Sequence, residues 1–92
     1  MIKLLYFTGK QCGVCQALKP KLRKMIETDF SQYVSLVDID VEEEQLLAAQ
    51  HIVFTLPVLI IQFDDKEVKR FAGAFGLHQV RNYLESLISQ VV

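Results

Sequence analysis

The sequence predicts an α/β domain of order βαβαββα over residues 1–92, with a four-stranded mixed sheet flanked by helices. Three observations predict it. Short apolar runs have the length of strands, longer stretches repeat apolar residues every three or four positions, and Gly, Pro and Asp punctuate the boundaries. With 92 residues and 51% hydrophobic composition, the chain holds enough apolar material for one core and little beyond it.

Ile2, Leu4, Leu5, Tyr6 and Phe7 make a nearly continuous apolar run, the pattern of a strand covered on both faces. Gly9 and Gly13 end it. From Cys15 onward Leu18, Leu22, Met25 and Ile26 fall on one face of a helix running to about Phe30, with Lys19, Lys21, Arg23 and Lys24 pointing mostly outward. Pro20 lies inside that helix and is expected to bend it without ending it. Val34 to Ile39 reads as a second buried strand. Asp40 then opens a short helix whose first turn is Glu42-Glu43-Glu44, acids that complement a helix dipole, and which runs to about Gln50.

Pro57 begins a third strand, Val58 to Phe63, and Asp64-Asp65-Lys66 turns the chain into a fourth, Glu67 to Phe71, as an antiparallel hairpin. After Gly73 and Gly76, the residues Leu77, Val80, Leu84, Leu87, Ile88 and Val91 mark the core face of a last helix. A helical crossover between the first two strands implies that they are parallel and joined right-handedly.

Ten Lys and Arg against eleven Asp and Glu give a net charge of -1, a balance that favours neither nucleic acid nor an acidic membrane as partner. The longest apolar stretch, Ile52 to Phe63, is broken by Pro57 and is shorter than the ~20 residues of a spanning helix. Met1 to Thr8 reads as a strand and not as an export signal, so the expected address is the cytosol; the chain is also expected to be a monomer. In a reducing compartment a close cysteine pair is catalytic, redox-sensing or metal-binding.

That pair is Cys12 and Cys15, in Gly9-Lys-Gln-Cys12-Gly-Val-Cys15 at a strand-to-helix junction. Cys12 is expected at the first turn, where free N–H groups and the positive end of the dipole favour a thiolate. Cys15, one turn further in, is placed to attack a mixed disulfide on Cys12 and release the partner. A closed zinc site needs four ligands, and His51 and His78 stand at spacings that match no common zinc pattern. The cysteines are therefore read as redox groups, with no metal and no bound cofactor.

Over its whole length the chain resembles the thioredoxin family. The resemblance is carried by Cys12-Gly-Val-Cys15, by Pro20 five residues beyond, by Leu56-Pro57 ahead of a strand, and by Gly73-Ala74 before the last helix. It implies a thioredoxin-like fold and a protein disulfide oxidoreductase, an electron carrier in cell redox homeostasis. It also implies a cis Pro57 beside the cysteines, and a substrate-binding surface built from Gln11, Gly13, Val14, Leu56, Pro57 and Gly73. The partners it implies are protein disulfides and, as electron donor, a thioredoxin reductase or an equivalent flavoprotein.

The chain also departs from that pattern. Gln11 stands where the family usually has Trp, Val14 where it has Pro, and Tyr6 where it keeps the buried acid that assists the second cysteine. With a reference pKa of ~10, a tyrosine is no base at neutral pH. In size, and in Thr55-Leu56-Pro57, the chain is similar to glutaredoxins, although Gly73-Ala-Phe-Gly76 replaces their Gly-Gly segment. Two alternatives accompany the main reading: a glutathione-linked reductase, and a redox-sensing module without turnover. Lys10 is a candidate to favour the Cys12 thiolate, and Phe54 and Phe75 to line an apolar rim. The basic stretch Lys19 to Lys24 and the acidic stretch Asp38 to Glu44 read as solvated faces.

Overall fold

The continuous apolar run at the N-terminus becomes the sheet's centre. In the computed structural model, which describes residues 1–92, β1 (Ile2–Thr8) lies between β2 (Val34–Asp40), parallel to it, and β3 (Val58–Phe63), antiparallel to it. β4 (Lys66–Ala72) pairs antiparallel with β3, giving the order β2-β1-β3-β4. The helices are α1 (Gly13–Asp29), α2 (Gln45–Gln50) and α3 (Leu77–Val91). Asp64 and Asp65, with φ of 50° and 68°, form the tight turn between β3 and β4, a left-handed pair that Asp tolerates better than most residues.

Alternation along β1 and β3 splits the core in two. Ile2, Leu4, Tyr6, Leu59 and Ile61 pack beneath Leu22, Met25 and Ile26 of α1 and Val80, Leu84 and Leu87 of α3. Leu5, Phe7, Val58 and Ile60 point the other way, with Ile39 and Ala48 of α2. No helix is long and apolar enough to cross a membrane.

Four expectations are corrected. α2 starts at Gln45, and Glu42-Glu43-Glu44 form the turn before it: Asp40 accepts from the Glu42 N–H through its side chain (2.8 Å) and from the Glu44 N–H through its carbonyl (2.9 Å). β2 is an edge strand, so Ser35 and Val37 are exposed instead of buried. Val91, the last residue of α3, is exposed and not part of its buried core face. Asp38, read as part of a solvated face, pairs with Arg23 through one oxygen while the other, Oδ1, is buried without a partner.

Candidate active site

β1 delivers the chain to the cysteines through a closed turn, in which the Cys12 N–H donates to the Gly9 carbonyl (3.1 Å) and the Gln16 amide to the same oxygen (3.0 Å). Cys12 is the N-cap of α1, with extended backbone (φ -92°, ψ 99°), and its Sγ accepts the Cys15 N–H at 3.2 Å. A helix leaves its first N–H groups without partners, and here a sulfur answers one of them. α1 has no acidic residue in its first turn, so no carboxylate competes for the positive end of the dipole. Through Pro20 the helix continues unbroken to Asp29, with Pro20 itself exposed.

The two cysteines are joined as a disulfide with a Cα–Cα distance of 5.2 Å. Their environments differ: Cys12 is half-buried, while Cys15 is fully buried. Solvent and partners therefore reach one sulfur first. Tyr6 lies beneath, fully buried, and its hydroxyl donates to the Cys15 carbonyl at 3.0 Å. Burial, reinforced by the charge of Asp38, pushes the Tyr6 hydroxyl up to about 12. Asp38 is its cross-strand partner in the sheet. Tyr6 is thus a proton-bearing donor to the redox helix and not a base.

The residues before β3 reach the same end of the sheet. Pro57 is buried and its bond to Leu56 is cis, as the family resemblance implies. Leu56 is half-buried, and its Cδ1 lies over Gly9, so close that a Cβ built there would stand 2.9 Å away and the leucine tip would have to shift. Gly73, at a left-handed φ of 73°, donates its N–H to the Pro57 carbonyl at 2.9 Å. Leu56, Pro57 and Gly73 are thus linked through these contacts to the turn that carries the cysteines.

The remaining candidates divide. Gln11 and Gly13 are exposed beside Cys12, and Val14 is 61% exposed. Phe54 is 84% exposed and available as a rim, whereas Phe75 is half-buried and stacks at a tilt on Phe71, centroids 5.6 Å apart. Lys10 turns away from the role expected of it. Its ammonium pairs with Glu43 at 3.3 Å, a hydrogen bond that raises its pKa, so that acid and not Cys12 takes its charge. No three His, Cys, Asp or Glu side chains are grouped to hold a metal. Sequence reasoning missed Ile52, 63% exposed two residues before Phe54, and gave Arg70 and Asp38 no role.

Comparisons with known proteins agree with this geometry. The family model for thioredoxin matches residues 1–86. Among solved structures, thioredoxin 1 from Thermosipho africanus superposes with a TM-score of 0.86 at 34% identity, covering 95% of this chain and 94% of that one. A mutant thioredoxin from Halobacterium salinarum gives 0.83 at 28% identity, over 92% and 73% of the two chains. Among curated relatives, thioredoxin Y2, chloroplastic, of Arabidopsis thaliana is 32% identical over 83 residues, 90% of this chain and 49% of its own length. The NADPH-dependent thioredoxin reductase 3 of the same plant is 31% identical over 84 residues, 90% of this chain but 16% of the reductase. The chain thus spans half or less of those two curated relatives. Matched in sequence over nearly its whole length and in fold to a solved structure of almost equal extent, it belongs to the thioredoxin family.

Proposed function

We propose that the chain is a thiol–disulfide oxidoreductase that reduces or exchanges protein disulfides through Cys12 and Cys15. The observation that carries this reading is the inequality of the pair. Cys12 caps α1 with its sulfur on a backbone N–H and open to partners, while Cys15 is sealed behind it. In the reducing direction the Cys12 thiolate attacks one sulfur of a target disulfide, forming a mixed disulfide and releasing the other target sulfur as a thiolate that takes up a proton. Cys15 then loses its proton and attacks Cys12 Sγ. The mixed disulfide breaks, the second target thiol leaves, and the Cys12–Cys15 disulfide of this structure remains. Two electrons have passed to the target.

Val14, between the two cysteines, and Phe54, three residues before Pro57, are large, apolar and exposed, which supports a protein substrate over a small charged thiol. The electrons return from a thioredoxin reductase or an equivalent flavoprotein, and the similarity to a segment of a plant thioredoxin reductase supports a donor of that class. A reducing compartment, the cytosol, is the address this reading assigns.

A reductase-coupled assay on a protein disulfide tests it. Turnover is expected in the wild type, none in Cys12→Ser, and a trapped mixed disulfide with Cys15→Ser. Turnover driven by glutathione alone would move the chain to the glutaredoxin-like reading. A second reading, a redox-sensing module without turnover, is favoured by one observation: the hydroxyl beneath Cys15 is no base, which slows the resolving step. It predicts a reversible disulfide that no reductant turns over.

A further inference from the structure

β4 is an outer strand, yet one of its side chains holds the loop that leads to Pro57. Arg70 donates from Nη2 to the His51 carbonyl (2.7 Å) and from Nη1 to the Ile52 carbonyl (3.1 Å). The same guanidinium donates from Nε and Nη2 to both carboxylate oxygens of Glu67, each at 2.8 Å. All three nitrogens are engaged, a planar fork with little freedom. Residues three apart in a regular strand face opposite sides of the sheet. Here the register slips between Ile61 and Gln62, so Val68 is the extra residue: Glu67 pairs with Gln62 and Arg70 with Ile60, which share a face. The bulge is what makes the Arg70–Glu67 fork possible.

What Arg70 holds is a helix end at odds with its own sequence. α2 closes with the Val53 N–H on the Ala48 carbonyl (2.9 Å) and the Ile52 N–H on the Ala49 carbonyl (3.0 Å). This paired closure puts the residue after the C-cap in the left-handed region, where glycine is preferred. The residue there is Ile52, φ 56°, a β-branched side chain for which that conformation is rare. Ile52 is 63% exposed, so burial of its side chain does little to offset the strain. The hydrogen bonds from Arg70 fall on the carbonyls of the strained residue and of its neighbour.

We infer that Arg70, braced by Glu67, is a positioning residue. It fixes the carbonyls of His51 and Ile52 and so directs residues 52–56, setting Ile52 and Phe54 where a protein disulfide docks. The kinetic part of this inference rests on the proposed oxidoreductase activity, and the structural part does not.

The test measures two quantities in Arg70→Ala. KM for a protein disulfide is expected to rise about fivefold with kcat within about twofold, the signature of lost positioning for binding and not for chemistry. Amide exchange at Ile52 and Val53, whose N–H groups close the helix end, is expected to quicken about tenfold. Arg81→Ala is the matched control, removing the Arg81–Asp29 pair (2.7 Å) from the α1/α3 side of the sheet, and both quantities should stay at wild-type values. Arg70→Lys should fall near Arg70→Ala, because one ammonium cannot hold two carbonyls and a carboxylate fork together. If Arg70→Ala does not fold, Glu67→Gln reads the same two quantities. Unchanged exchange overturns the positioning role, and faster exchange with unchanged KM overturns its link to substrate. A wild type without turnover counts against the activity alone, and the exchange result then decides the structural part.

Discussion

Beneath α1 and α3 the sheet buries a cluster of thirteen residues, and beneath α2 it buries six. The first face is roofed by helices of 17 and 15 residues, the second by one of six. The difference shows in what is left exposed. Leu46 and Ile52 at the two ends of α2, Phe54 just beyond and Val37 on the open edge strand are all large, apolar and exposed. The helix that carries the cysteines packs on the well-covered face, while the loop into Pro57 hangs from the thinly covered one. Local stability follows buried apolar contact, so the redox helix and the loop beside it draw on different reserves. Apolar packing holds the redox helix, and the Arg70 hydrogen bonds hold the loop where that packing is thin.

The largest expected effect breaks this comparison on its strong side. Leu84 is fully buried at the centre of α3's core face, and Leu84→Ala should cost about 3 kcal/mol, from lost burial and the cavity left behind. On the thin side, Ala48→Gly in α2 should cost about 1 kcal/mol, mostly through helix propensity. Urea melts of both variants measure the ratio. An equal loss at the two positions would show that α2 is as integral to the fold as α3.

A smaller effect belongs to Tyr6, which ties the strong face to the redox pair. Its hydroxyl titrates at about 12 in the folded protein, against about 10 unfolded. A raised folded pKa means that the folded state holds the proton longer, so this contribution is complete below pH ~10 and is lost as pH rises toward 12. Stability should therefore fall by about 2 kcal/mol across that interval, and Tyr6→Phe should flatten this part of the profile. At neutral pH the same substitution removes the donor to the Cys15 carbonyl and should cost about 1 kcal/mol. A profile that keeps its slope in Tyr6→Phe would assign the loss to other groups.

How much of this was legible beforehand follows from the range of each signal. β1 and β3 could be read because burial on both faces forces an unbroken apolar run, and Cys12 and Cys15 because helix-end chemistry is local. The start of α2 was misread since three glutamates suit a first turn, while the bonds to Asp40 that close a separate turn before Gln45 are not a composition signal. Lys10 was given to Cys12 because the two are neighbours in sequence, and only the fold brings Glu43 to it. Asp38 becomes half-enclosed through its register with Tyr6. The hold of Arg70 on the α2 end was invisible for a stronger reason: it depends on a one-residue slip of register in β4, which no periodicity announces.

The smallest effect sharpens the comparison on its weak side, at Ile52. A non-glycine residue in the left-handed region costs about 1–2 kcal/mol, and glycine gives back about 0.5–1 kcal/mol through the entropy of the unfolded chain. Ile52→Gly should therefore stabilise the fold by about 0.5 kcal/mol, a shift that a careful denaturant melt resolves. The same change strips an exposed apolar side chain from the rim beside Phe54, so KM for a protein disulfide should rise about two- to threefold while stability improves. Opposite movements in the two measurements would mean that the strained isoleucine serves recognition at the expense of the fold. Loss of stability in Ile52→Gly would mean instead that the side chain packs well enough to justify its place, and the thin face would be stronger than its six buried residues suggest.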